Sequence, residues 1–398
     1  MKICTIGKYP PIEGGESSKL YWLAKALGEK GHEVHIVTNA WEVETKYREQ
    51  ITGDDLSGHY RPKNVYIHNT DPFINPAFIP YFKPYTEKVA SRAIEVIKNF
   101  NLQLIDSWYI LPYVISGFLA KQITGQPQIM RHAGSDMSRL LNSPFLKTLF
   151  ISIFKEVDKI VTYPAMVPVF KSFGIPEEKM SLNLKVSVNI NEFNPRGLIF
   201  DLSKYINRDI DDIPVITYLG KLGVTKGVYE LAEAASSIER EFILLFVTQN
   251  TGLEHFRGFL KEKRLEKKSV FLGFVPPWKV PSIIRRSTCV VTPERDFPVI
   301  QHTPILPREV LACGGCLILS TELYEKLKRI GFYNKENCFI VDPKNISDFR
   351  KTLELILENP ELRETIARNA RLTSERIEHF EDYVNETVAL YQEIIESK

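Results

Sequence analysis

The sequence predicts an α/β protein built as two doubly wound domains, each a parallel sheet covered by helices, with a cleft between them. Three observations carry this. Short apolar runs alternate with segments of helical period along most of the chain, the pattern of strands and helices wound into parallel sheets. The alternation stops once, over Asn191 to Pro214, where Pro195, Gly197, Asn207 and the acidic run Asp209 to Asp212 read as an interdomain connector, and then it restarts. The chain has 398 residues, 44% apolar and 25% charged, too long for one ordinary core and balanced like a globular protein.

Taken in order, Lys2 to Gly7 is a first strand, and Ser17 to Lys30 a helix with Leu20, Leu23, Ala24 and Leu27 at helical spacing. Gly31 ends that helix, because glycine takes the left-handed turn past a last helical residue at little cost, and Glu33 to Thr38 is the next strand. The alternation continues through Leu104-Ile105, a helix from Tyr113 to Gln122, and strands at Gln128 to Arg131 and Lys159 to Thr162. Beyond the connector, strands are expected at Val215 to Leu219, Phe242 to Thr248, Val270 to Leu272, Cys289 to Val291, Leu317 to Leu319 and Phe339 to Val341, with a helix from Val228 to Ile238. A charged helical tail from about Asp348 to Lys398, interrupted near Pro360, closes the chain. In such folds ligands sit at the carboxyl ends of strands.

Lys and Arg number 51 against 49 Asp and Glu, a net charge of +2, so no global field recruits nucleic acid and anion binding has to come from local sites. Met1 to Tyr9 has neither a long apolar region nor a cleavage site, and no stretch of about 18 uncharged apolar residues occurs, so a cytoplasmic protein is expected, with peripheral contact at the inner face of the membrane left open. Five cysteines, an odd count without disulfide spacing, suit a reducing compartment. Cys313-Gly-Gly-Cys316 has CxxC form, but no second Cys/His pair lies near in sequence to complete a zinc set.

Four segments have the residue types that anion and sugar chemistry requires. Gly14 and Gly15 precede the first helix, where amides without a neighbouring Cβ approach an anion closely; a plain turn is the competing reading, and the spacing is not that of a dinucleotide fold. The loop Gly220 to Gly227 places Lys221 and Lys226 between a strand and a helix, suited to a diphosphate that gains charge as a leaving group, unless both are simply solvated. Glu309 falls in the first turn of a helix that Pro307 begins, where a carboxylate can accept two hydrogen bonds from a ribose diol; a capping glutamate is disfavoured because Leu306, the expected cap, has no side-chain oxygen. His132, at the end of a strand and followed by Ala133-Gly134-Ser135-Asp136, can hydrogen-bond a sugar or meet a developing charge, or else be a core histidine ahead of a capped helix.

In their order these landmarks resemble family 4 of the retaining glycosyltransferases, of GT-B fold. Tyr9 to Gly15 with Gly31 to Val34, Asp106 to Pro112, His132 to Asp136, Gly174 to Pro176 with Asn191 to Pro195, Gly220 to Gly227 and Glu309 to Gly314 carry the resemblance across nearly the whole chain. It implies two Rossmann-like domains, 1–195 on the acceptor side and 210–377 on the nucleotide-sugar side, with a C-terminal helix at about 378–398 as a candidate to pack back on the first. It further implies that Gly14, Gly15, Lys221 and Lys226 hold the donor diphosphate, that Glu309, Phe274, Val275, Ile305 and Leu306 hold the nucleoside, and that Asp136, His302 and Thr303 face the sugar. His132 and Gln301 take the catalytic positions. The reaction it implies moves a hexose, with retention, from a UDP- or GDP-linked donor to a glycan or lipid-linked acceptor, with no cofactor and no metal. Asp209-Ile210-Asp211, the one DxD-like string, lies in the connector rather than after a strand.

The chain departs from the family at the sugar-facing loop. Where the family places Glu-Gly-Phe-Gly, eight positions before its second glutamate, this chain has Gln301, His302, Thr303 and Pro304. Gln301 accepts a hydrogen bond but supplies no negative charge, and Pro304 has no amide hydrogen. Lys221 likewise gives a point charge where the family usually has the planar fork of Arg. Two other functions therefore stay open: a donor-binding partner subunit without turnover, and a sugar-nucleotide epimerase on the same scaffold. The run from Pro72 to Pro84, rich in proline and aromatics, is a candidate acceptor-side lid or an ordinary packed loop.

Overall fold

The structure is a computed structural model that describes residues 1–43, 51–72, 84–141, 143–206, 210, 212–248, 252–299 and 302–398, with the backbone alone for Val43, Arg139 and Leu140. The chain divides into two compact units, Met1–Val186 with Glu381–Lys398, and Ser187–Phe380.

The first unit is a seven-stranded parallel sheet of β1 (Lys2–Ile6), β2 (Glu33–Thr38), β3 (Val65–Asn69), β4 (Leu104–Trp108), β5 (Gln128–Arg131), β6 (Lys159–Val161) and β7 (Met180–Ser181), in the order β3-β2-β1-β4-β5-β6-β7. Its central strands are buried along almost their whole length, as parallel strands covered on both faces must be. Strand β3 was not expected, and the reason is visible: it is an edge strand, VYIHN, buried only at its first residue, so it shows neither an apolar run nor a clean alternation. The helix Tyr85–Phe100, also unexpected, buries Val89, Ala90, Ala93, Val96 and Ile97 on the sheet's cover.

The second unit is a six-stranded parallel sheet of β8 (Val215–Leu219), β9 (Ile243–Val247), β10 (Ser269–Leu272), β11 (Cys289–Thr292), β12 (Leu317–Ser320) and β13 (Phe339–Val341), in the order β10-β9-β8-β11-β12-β13. In each sheet the first strand of the unit lies inside, with its successors on one side and the later strands on the other. The order therefore reverses between β1 and β4 in one unit and between β8 and β11 in the other, and at such points the loops after two neighbouring strands part and leave room for a ligand.

The C-terminal tail forms three helices, Ile346–Glu358, Pro360–Ile377 and Phe380–Glu396. Pro360 starts the second, as expected. The break after Ile377 has a tertiary cause. Glu378 leaves helical geometry, with φ −101° and ψ 118°, and its buried carboxylate accepts hydrogen bonds from Ser187 Oγ at 2.8 Å, Val188 N at 2.7 Å and Arg308 Nε at 2.6 Å. The last helix belongs to the first unit. It buries Tyr383, Val384, Leu390, Tyr391 and Ile394, and the Tyr391 hydroxyl donates to Asp106, which also takes Arg131 Nε at 3.0 Å and Trp108 Nε1 at 3.1 Å.

Candidate functional site

The reversal point of the second sheet brings together two loops that bear charged side chains. Strand β8 runs into Gly220–Gly227, where the Tyr218 hydroxyl donates to the Lys221 carbonyl at 2.6 Å and fixes the first bend. Strand β11 runs into Pro293 and Glu294. Gly227 has φ 69°, and a Cβ there would lie 1.8 Å from the Pro293 carbonyl oxygen, so the two loops touch backbone to backbone and only glycine permits it. The Arg295 amide donates to the Thr225 carbonyl at 3.0 Å, and its guanidinium reaches Glu230 Oε1 at 2.6 Å.

Held this way, Lys226 and Glu294 meet. Lys226 Nζ lies 2.7 Å from Glu294 Oε1, 3.5 Å from His302 Nε2 and 3.9 Å from the centre of the Phe297 ring. His302 Nε2 is 3.2 Å from Glu294 Oε2, and its ring packs on Phe297 at 4.4 Å between centroids. Burial lowers the affinity of Lys226 for its proton and Glu294 restores part of it, with the net shift downward. For Glu294, burial favours the neutral acid, but His302 and Lys226 outweigh it and hold the carboxyl below its usual range. Lys221 is exposed on the same loop, and its ammonium has no partner among the described residues.

The helix after this loop is Leu306–Ala312. Its cap is Ile305 and its first residue Leu306, so the expected start at Pro307 is one residue late; Ile305 has no side-chain oxygen either. Glu309 is buried in the first turn, and Arg308 beside it turns to Glu378. Ile305 and Leu306 are half-buried and Thr303 is exposed. Phe274 and Val275 are buried beyond β10, at the sheet edge and two strands from β8. Gln301 lies outside the described residues, as do Asp209 and Asp211 and most of the proline and aromatic run, residues 73–83. Cys313 and Cys316 are buried, their thiols pushed up to about 12 by burial, and they pack as apolar groups beside Gly314, which takes a left-handed turn at the helix end.

In the first unit, Gly14 caps the helix Gly15–Glu29 with φ 121°, and both glycines are exposed. Glu16 follows in the first turn and pairs with Lys19 at 2.7 Å, so the helix start already has a carboxylate next to it. His132 leaves β5 with Nε2 2.8 Å from Thr162 Oγ1, while Nδ1 is enclosed. Burial drives its pKa down to about 4, so the ring is neutral near pH 7. The Asp136 carboxylate turns inward. It is fully buried, Oδ1 accepts the amides of Ala133 at 2.9 Å and Met137 at 2.8 Å, and Oδ2 accepts that of Ile110 at 3.1 Å. It braces the turns beside His132.

Comparison with known proteins assigns this scaffold. Residues 204–373 match the family described as Glycosyl transferases group 1. Sucrose-phosphate synthase from Thermosynechococcus elongatus superposes with a TM-score of 0.69 over 100% of both chains at 17% identity. The chain carries a group 1 glycosyltransferase domain on a GT-B fold. An uncharacterized glycosyltransferase of Methanocaldococcus jannaschii is 24% identical over 98% of each chain, and N-acetyl-alpha-D-glucosaminyl L-malate synthase of Bacillus anthracis is 29% identical over 35% of this chain and 33% of that one. Anabaena HepE, solved in complex with UDP-glucose, has a TM-score of 0.69 at 16% identity, covering 98% of this chain and 99% of HepE.

Glu294 is absent from the residues the sequence singles out. The signal that marks it is an acid two residues past the end of strand β11, opposite the lysine loop of β8, and it becomes informative only once the strand order is known.

Proposed function

We propose that this glycosyltransferase moves a hexose, with retention of configuration, from a UDP- or GDP-linked donor to a glycan or lipid-linked acceptor, without a cofactor or resident metal. The observation that carries the reading is the position of Lys221 and Lys226 at the reversal point of the second sheet, with Glu309 in the helix that follows the neighbouring strand. HepE, of the same fold, was solved with UDP and with UDP-glucose, which supports a nucleotide-sugar donor.

In this reading the two lysines stabilise the diphosphate, whose charge rises as the glycosidic bond breaks, and Glu309 accepts the ribose hydroxyls. His132, neutral near pH 7, brings no positive charge to the sugar. The leaving diphosphate takes the proton of the acceptor hydroxyl on the face where the new bond forms.

Thermal shift against UDP, GDP, ADP and their sugars tests the donor site. One nucleotide should raise the melting temperature of the wild type by several degrees, an effect of mass action on the native state, and Glu309→Ala should lose most of that rise. Equal responses of both proteins to every nucleotide refute the placement. Gln301 and Pro304 favour a second reading, a donor-binding subunit without turnover. That reading expects the same thermal shift but no release of nucleoside diphosphate from any activated sugar with acceptor extracts.

A further inference from the structure

Glu294 is clamped on both sides. Pro293 before it rests on Gly227, and Arg295 after it is bonded to Thr225 and Glu230. The backbone that carries Glu294 is therefore held against the lysine loop, and its carboxylate meets Lys226 there. The ammonium, in turn, is enclosed by Glu294, the Phe297 ring and His302, with 16% of the Lys226 side chain exposed. One carboxylate oxygen takes the lysine at 2.7 Å, while Oε2 is enclosed and has no hydrogen-bond donor with good geometry, although His302 Nε2 stands 3.2 Å away. The protein's own contacts hold this cluster together, and charge fixed in that way needs little reorientation when a diphosphate binds.

We propose that Glu294 is the positioning residue of the donor site, holding Lys226 and His302 as one unit so that the lysine meets the donor in a fixed direction. The proposal rests on the reading of Lys226 as a diphosphate ligand and deepens it. It also gives the site a carboxylate next to Lys226, which the sequence at position 301 does not supply. Glu294 acts through Lys226 and His302 rather than on the reacting atoms.

The test uses the full chain and two measurements. Lysine acylation read by peptide mass spectrometry should show Lys226 in the wild type reacting several-fold more slowly than exposed Lys221, and the difference should shrink in Glu294→Gln, which keeps the shape and removes the charge. Titration calorimetry with UDP and with GDP should show that Lys226→Met and Glu294→Gln each weaken the bound nucleotide by roughly tenfold or more, with Glu294→Asp recovering part of the loss. If Lys226→Met loses affinity while Glu294→Gln binds like the wild type or more tightly, the carboxylate is only a competitor of the diphosphate and the inference falls alone. If Lys226→Met itself binds normally, or no nucleotide binds the wild type, the donor-site reading falls with it. Equal acylation of Lys221 and Lys226 in the wild type also overturns the inference, without reference to any variant.

Discussion

His132 and Asp136 lie four residues apart in one turn, and burial acts on them with opposite sign. His132 falls to about 4 because its charged form is poorly solvated, while Asp136 rises to about 7 although three amides favour its ionised form. The histidine's folded pKa lies below the unfolded value, so the unfolded chain takes up its proton first. Its contribution is present above about pH 6.5 and is lost as the pH falls toward 4, to a limit of about 3 kcal/mol. The aspartate's folded pKa lies above its unfolded value, so it stabilises the fold increasingly as the pH falls from about 7 toward 4. The two slopes oppose each other, and His132→Gln should leave the aspartate's alone: chemical denaturation between pH 7 and 4 should show a variant whose stability falls less, or rises, on the acid side. An unchanged profile would mean that the ring is not held neutral. Of these residues the sequence marked His132 by its place after a strand, but it could not tell that Asp136 turns inward, since a capping acid and a sugar-facing acid read alike. Glu294 was hidden for a different reason, because its meaning depends on which strand lies beside β11.

Elements show the same division between local and tertiary causes. Glu33–Thr38, Gln128–Arg131, Val215–Leu219 and Phe339–Val341 have the bounds expected from the sequence, because strands buried on both faces show up as short segments centred on apolar residues. Edge strand β3 and the break at Glu378 carry theirs in partners distant in sequence. The loop Gly220–Gly227 stands between these cases. Its glycines and lysines are legible, but the need for glycine at 227 arises from Pro293, 66 positions away by sequence number. Gly227→Ala must place a Cβ 1.8 Å from a carbonyl oxygen and adopt a left-handed backbone, so the two loops have to part. The backbone term alone costs about 1–2 kcal/mol, and the clash adds to it. Urea denaturation should report a loss of about 2 kcal/mol or more, and nucleotide affinity should drop with it because Lys226 and Glu294 separate. A variant as stable as the wild type would show that the loops do not depend on that contact.

Across the molecule, the repeated α/β pattern made two units legible, although the division falls between Val186 and Ser187, ahead of the connector expected from Asn191, whereas the membership of the last helix was carried only by resemblance. Composition cannot decide it, since Phe380–Glu396 is an ordinary amphipathic helix. The decision is made by Tyr391, whose hydroxyl enters the buried pair of Asp106 and Arg131 under the first sheet. A buried ion pair adds little net stability by itself, but its groups are costly to leave short of partners. Removing one hydroxyl is therefore a sharper probe than deleting the helix. Tyr391→Phe keeps the ring and its packing while taking from Asp106 one of its donors, leaving Arg131 and Trp108. The expected cost is about 1–3 kcal/mol, that of an under-bonded buried acceptor, and it should fall on the first unit. Calorimetry with and without nucleotide separates the two units: the transition that nucleotide raises should be preserved in Tyr391→Phe, and the transition that nucleotide leaves alone should move down by several degrees. A downward shift of the nucleotide-sensitive transition alone would place the last helix with the other unit and refute the assignment.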